Sequence, residues 1–351
     1  MKRQLPFLSS LSLLLIAALF LSACGATGNA PEVATEESTE APAAESATEA
    51  PATAADVPST HPDYGTVARQ HLSALTEEIG TRTPGSPEEA KAAAYVESAF
   101  QEYGYAPQVQ TFSFTTEDGQ ELESANIVAV KQGESAREII VGAHYDSGEE
   151  AAGADDNASG VAVMLEVAKM LQETMTPYTV RFVAFGAEEN DLNGSRYFVS
   201  QMDAGEIGNI VGMVNLDSLI AGDFAYVYGD TETGGMWDWI IQDATVTGFA
   251  LDSRTAADMD SNGVPCECAD YSPFQTAGIP FAYFEATDWT LGAKDGMTQV
   301  DPSLGDGGEV RHTQFDTIEY IDATFPGRID GHLNLFVSLL FDLLTEYQAP
   351  K

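Results

Sequence analysis

Glu138-Ile139-Ile140-Val141-Gly142-Ala143 is a short, mostly apolar run that breaks abruptly into His144-Tyr145-Asp146-Ser147. A continuous apolar run of this length, bounded by polar residues, reads as a strand buried on both faces. Residues 159–173 follow with Val161, Met164, Leu165, Ala168 and Leu171 at helical spacing. A second apolar run, Val180 to Phe185, a helix near 194–202 and a third run, Ile210 to Leu216, come next. This strand–helix alternation predicts an α/β fold with a mostly parallel, twisted central sheet between two helical layers. Upstream, helices are expected over 64–79 and 87–103, with Ser86 as N-cap and Glu89 closing a capping box. Strands are expected near 108–115 and 124–131. A last amphipathic helix is expected over 328–347, with Leu333, Phe336, Leu340 and Leu343 inward.

The chain has 351 residues, 44% of them hydrophobic, which is ample for one large enzyme domain. Its formal charge of −40 comes from 55 acidic and 15 basic residues and argues against nucleic-acid binding, which needs a basic face. Lys2 and Arg3 precede an apolar stretch from Leu5 to Leu21, which ends in Leu21-Ser22-Ala23-Cys24. This is the pattern of an export signal. The ending resembles a bacterial lipobox, with residues 1–23 as signal peptide and Cys24 as the lipidated first residue of the mature chain. The expected location is the outer face of the bacterial cell envelope, with membrane contact through the lipid alone. Residues 24–62 are rich in Ala, Pro, Thr and acids and hold no Lys, Arg, Phe, Trp or Tyr. Such a segment is expected to be a disordered tether. Residues 63–351 form the expected catalytic domain.

In open α/β sheets, ligands bind where strands end at their carboxyl edge. The polar segments at those ends are His144-Tyr145-Asp146, Gly153-Ala154-Asp155-Asp156-Asn157-Ala158-Ser159-Gly160, Gly186-Ala187-Glu188-Glu189-Asn190, Asn215-Leu216-Asp217-Ser218 and, far along, Arg311-His312-Thr313-Gln314-Phe315-Asp316-Thr317. Two imidazoles and three carboxylates are a suitable donor set for a pair of zinc ions. In an extended His144-x-Asp146 the two side chains point the same way, so Asp146 can orient the imidazole. The adjacent Glu188 and Glu189 aim differently, so one can bind metal while the other acts as a base. Asp156 can hold two cations with its two oxygens.

The order of these segments closely resembles the M28 family of co-catalytic dizinc exopeptidases, over about residues 66–345. Asp270-Tyr271-Ser272-Pro273-Phe274 and Gly278-Ile279-Pro280 extend the likeness. The resemblance implies two zinc ions per chain: His144 and Asp217 bind one, Glu189 and His312 the other, and Asp156 bridges them. It implies Glu188 as general base, Asp146 as the residue orienting His144, and a cis peptide at Asp156–Asn157. The implied substrates are peptides or proteins with a free N-terminus. Phe284-Glu285-Ala286-Thr287-Asp288-Trp289 and Pro326-Gly327-Arg328-Ile329 resemble the branch containing the alkaline phosphatase isozyme conversion aminopeptidase, which removes basic N-terminal residues. Two positions depart from the family pattern. Arg311 stands where relatives often carry an aromatic residue, and can meet the oxyanion, the substrate or, as favoured here, a salt-bridge partner. Tyr271 stands where many members have histidine, and either donates to the oxyanion or packs.

Cys266 and Cys268 form a strained disulfide or stay as thiols, and Asp258 and Asp260 are either loop charge or a basic-residue selector. A carboxypeptidase or a glutaminyl cyclase of the same fold competes with the aminopeptidase reading, as does a non-catalytic peptide-binding lipoprotein.

Overall fold

The computed structural model describes residues 61–350 except 117, 230–234, 256–268 and 295. The signal peptide, Cys24, the tether up to residue 60, Asp258, Asp260, Cys266 and Cys268 therefore lie outside the described residues. Strands β1 (Gln108–Thr115), β2 (Glu121–Lys131), β3 (Ser135–His144), β4 (Tyr178–Phe185), β5 (Ile210–Leu216), β6 (Phe224–Gly229), β7 (Asp252–Thr255) and β8 (Phe281–Thr287) form one sheet. Their order is β1-β2-β4-β3-β5-β8-β6-β7. The centre, β4-β3-β5-β8, is parallel throughout. Antiparallel pairing occurs between β1 and β2, β2 and β4, and β6 and β8. The expected mostly parallel α/β sheet is borne out.

The central strands are buried on both sides, and their side chains divide with a period of two. Val141, Ala143, Phe182, Ala184, Val214 and Leu216 face one core with α3 (Ser159–Met170) and α9 (Arg328–Glu346). Ile140, Val183, Phe185 and Met213 face the other, with Phe198 of α4 (Asn193–Ser200) and Phe274 of α7 (Tyr271–Thr276). Gly160 lets the first turn of α3 approach β5: a Cβ there would stand 2.4 Å from the Leu216 carbonyl oxygen.

Several expectations are adjusted at their edges. The helix expected over 64–79 is an α-helix at Thr66–Ser73 (α1) that continues as a π-helical turn over Ala74–Ile79. Ser86 does cap α2 (Pro87–Glu102), accepting from the Glu89 amide at 3.0 Å. The capping box does not close in its usual form. Glu89 is buried, and its carboxylate accepts from the amides of Gly85 at 2.6 Å and Ala187 at 3.0 Å and from the Ser124 hydroxyl at 2.6 Å.

Candidate metal centre

Parallel register brings the ends of β3, β4 and β5 side by side. His144 pairs with Phe185, and Gly142 with Asn215, so His144, the 186–189 turn and Asp217 leave the sheet at one level. Asp156 enters from the turn before α3. Gly153 shapes that turn with φ +57, and a Cβ on it would lie 2.3 Å from the Asp156 carbonyl oxygen. The Asp156–Asn157 peptide is cis, as the resemblance implies. His312 arrives from the distant 310–317 loop, with φ +57 at a non-glycine residue.

These elements bring together two groups of side chains able to hold a metal ion: His144, Glu188 and Asp217, and Asp156, Glu189 and His312. Asp156 joins them. Its Oδ1 lies 3.1 Å from His144 Nε2 and its Oδ2 lies 3.0 Å from His312 Nε2. His144 Nε2 is also 3.6 Å from Asp217 and 3.8 Å from Glu188, and His312 Nε2 is 3.6 Å from Glu189. Clefts of about 230 Å³ and about 860 Å³, which share Gly148, Glu149 and Glu189, open from the second group.

The electrostatics of this crowd are unfavourable without cations. Burial pushes the Glu188 carboxyl well above its ordinary range; the charge of His144 opposes this, and Asp270, Asp217 and Glu189 add to it. Burial and Asp156 carry Glu189 to about 8. Burial pulls the His144 imidazole down, but Glu188 and Asp217 outweigh it and hold the ring well above its ordinary value. The bond to Asp156 and its charge lift His312 to about 9. Burial also acts on Asp156, and the two histidines override it to hold this carboxyl low. Asp156 Oδ1 and Glu189 Oε1 are buried without a hydrogen-bond partner among the described residues. An orphaned buried acceptor costs roughly 1–3 kcal/mol, and more when charged. Divalent cations facing these oxygens relieve both the orphaning and the repulsion. The residues present therefore fit a pair of zinc ions.

The remaining expected residues divide. Asp146 is fully buried and accepts from the amides of Glu188 at 3.1 Å and Glu189 at 3.0 Å, so it anchors the turn carrying both glutamates. Its nearest oxygen is 3.6 Å from His144 Nδ1. Arg311 pairs with Glu285 and donates to the Gly296 carbonyl at 3.0 Å. Glu285 also accepts from Tyr228 at 2.5 Å. Tyr271 is stacked on Phe281, with ring centroids 4.3 Å apart, and on Tyr283 at 5.4 Å.

Sequence reasoning missed several groups around the centre. Arg82 is fully buried, and its guanidinium donates, among the described residues, to backbone carbonyls, including Tyr145 at 2.7 Å and Ala152 at 2.5 Å. Asp316 accepts from the amides of Asp155 at 2.6 Å and Asp156 at 3.1 Å. Asp270 is buried, and burial lifts it to about 7, with His144 opposing and Asp217 and Asp146 adding. Asp316 and Asp270 lie within motifs quoted above, so their acidic character was a usable signal. Arg82 carried none.

Residues 126–335 match the family model described as Peptidase family M28. The alkaline phosphatase isozyme conversion protein of Escherichia coli (strain K12) is 29% identical over 314 residues, 81% of this chain and 90% of that protein. The "Probable lipoprotein aminopeptidase LpqL" of Mycobacterium tuberculosis is 31% identical over 60% of this chain, and the match spans 44% of that protein's length. Among solved structures, a zinc aminopeptidase from Bacillus subtilis superposes with a TM-score of 0.63 at 20% identity, covering 81% of this chain and 96% of that one. A glutaminyl cyclase of Porphyromonas gingivalis reaches 0.60 at 20% identity, over 81% and 97%. At such identity these two structures speak for the fold. With more than half of its length matched by the family model, the chain belongs to peptidase family M28.

Proposed function

We propose that this M28 member is a two-zinc aminopeptidase that releases N-terminal residues from peptides or proteins. One observation carries the reading: the two Asp156 oxygens stand 3.1 and 3.0 Å from His144 and His312, each of which faces further carboxylates. His144 and Asp217 would hold one ion, Glu189 and His312 the other, and Asp156 both. Zinc bound there supplies a Lewis acid and lowers the pKa of a water.

The remaining steps belong to the chain's own groups. Glu188 takes the proton from the attacking water and gives it to the leaving amine nitrogen as the carbon–nitrogen bond breaks. Its carboxylate lies 3.8 Å from His144 Nε2, beside the groups that would hold the first ion, within reach of a water there. Asp146 holds the Glu188–Glu189 turn through its two amide bonds.

The surroundings favour an amine over a carboxylate at the substrate terminus. Asp217 and Asp270 are buried carboxyl groups whose oxygens can accept hydrogen bonds from an ammonium group. The two buried arginines flanking the centre are engaged, Arg82 by backbone carbonyls and Arg311 by Glu285. With both engaged, neither is free to pair with a C-terminal carboxylate, which argues against a carboxypeptidase. The two metal-holding groups argue against a cyclase that uses a single zinc.

Zinc content per chain, with hydrolysis of Leu, Arg, Lys and Ala p-nitroanilides before and after chelation, tests the reading. Two zincs and chelator-sensitive release of N-terminal residues support it. Cyclisation of N-terminal glutamine without such release refutes it. We further propose export and lipid anchoring through Cys24, which the N-terminal pattern and the name of the LpqL relative support. No helix among the described residues is long and apolar enough to cross a membrane.

A further inference from the structure

We propose that the buried pair Asp155–Gln299 is a positioning brace that sets the separation of the loops carrying Asp156, Asp217 and His312. Both side chains are fully buried. Asp155 Oδ1 accepts from the amides of Ile220 at 2.7 Å and Ala221 at 2.9 Å, just beyond Asp217. Asp155 Oδ2 accepts from Gln299 Nε2 at 2.6 Å. Gln299 Oε1 in turn accepts from the amides of Val310 at 3.0 Å and Arg311 at 2.9 Å, the two residues before His312. One continuous set of hydrogen bonds thus links three ligand-bearing loops that are far apart in sequence. The His312 side chain is 53% exposed, so packing does little to hold its ring, and its backbone stands at φ +57. The two amides fixed by Gln299 aim it.

The brace has a polarity. A carboxylate only accepts and a backbone amide only donates, so the residue between them must donate on one side and accept on the other. Gln299 does both. Exchanging the roles keeps that logic: in Asp155→Asn with Gln299→Glu, the new asparagine accepts from Ile220 and Ala221 and donates to the new glutamate. That glutamate still accepts from Val310 and Arg311. Each single change breaks it. Asp155→Asn opposes donor to donor, and Gln299→Glu opposes carboxylate to carboxylate.

This inference rests on the reading of Asp156, Asp217 and His312 as zinc ligands, and the test separates the two. Wild type, both single variants and the double variant are compared by chelator-competition titration of zinc, by kcat and KM, and by Tm of the zinc-free protein. The single variants are expected to bind the second zinc about 10–100-fold more weakly, the usual effect of removing a partner behind a ligand. Their kcat should fall with KM little changed. The double variant is expected to return to within about threefold of wild-type affinity, a gain that the conserved bonding logic requires. Gln299→Met, uncharged and similar in size, replaces Gln299→Glu if the latter does not fold, and should show the same loss. Single variants with wild-type affinity for both zincs, or a double variant as weak as the singles, overturn the brace alone. A wild-type chain that takes up fewer than two zincs overturns the two-zinc reading and the brace with it.

Discussion

Replacing Arg82 by methionine removes a fully buried cation whose hydrogen bonds, among the described residues, all go to backbone carbonyls. Nε donates to Tyr145 at 2.7 Å, and Nη1 to Leu75 at 3.2 Å, Gly80 at 2.9 Å and Ala152 at 2.5 Å. Nη2 donates to Gly153 at 3.2 Å. The acceptors lie on the π-helical turn and its C-cap, on the exit from β3 and on the loop before Asp156, so one guanidinium ties three segments. Burial lowers its pKa to about 10, with Asp146, Asp316, Asp156 and Glu189 opposing, so it stays charged at neutral pH. At roughly 1.5–3 kcal/mol for each bond to a charged group, a simple sum rivals the whole stability of a typical domain. It cannot all be net, because methionine also avoids the cost of burying the charge. Breaking a buried charge network typically costs about 3–5 kcal/mol, and we expect Arg82→Met in that range. The corresponding fall in Tm is on the order of 10 °C. Lysine has three donors and no planar fork, so Arg82→Lys should recover less than half of the loss. Urea denaturation of the zinc-free and zinc-loaded proteins measures both variants. A loss below about 1 kcal/mol for Arg82→Met, or full recovery by lysine, would refute the argument.

Three further outcomes are expected. Glu188→Gln should keep two zincs and the wild-type Tm while kcat falls about 10²–10⁴-fold, the span of general-base catalysis; a metal-replete variant with full turnover removes Glu188 from that role. Chelation should abolish hydrolysis and lower Tm, and zinc at 100 times its dissociation constant should restore about 2.7 kcal/mol; activity that survives exhaustive chelation contradicts a metal-dependent reaction. Without zinc, Glu188, Glu189, His144 and His312 all have folded-state pKa values above their ordinary ones. The folded state then binds more protons than the unfolded chain, so the stability of the zinc-free protein should fall as pH rises from about 5 to about 9. Zinc, which needs Glu189, His144 and His312 deprotonated, should remove most of that slope, and a flat or rising zinc-free profile by urea titration speaks against the charge crowding.

The parts legible in the sequence and the parts hidden from it divide along a physical line. The central strands were readable because burial on both faces leaves unbroken apolar runs such as Ile139–Ala143. The helix α9 was readable because Leu333, Phe336, Leu340 and Leu343, all buried, repeat at helical spacing. β8 was not: Phe281–Thr287 carries Glu285 in its interior, a residue that argues against a buried strand until its partner Arg311 is known. The same line runs through the site. The residues expected to hold metal stand out because a divalent ion selects the chemistry of its donors, so imidazoles and carboxylates recur at strand ends. The Arg82 guanidinium and the Gln299 amide make most of their contacts to backbone amides and carbonyls, which every position offers, at separations as long as the 71 residues between Arg82 and Gly153. Such a partner leaves no trace of its own in the composition or the spacing. A sequence reading therefore recovers the proposed metal ligands, with Asp146 beside them, and passes over buried groups such as Arg82 and Gln299 that tie their loops together. The proposed brace shows the division within one hydrogen bond: Asp155 lies inside a quoted motif, whereas Gln299, 144 residues away, has no motif to announce it.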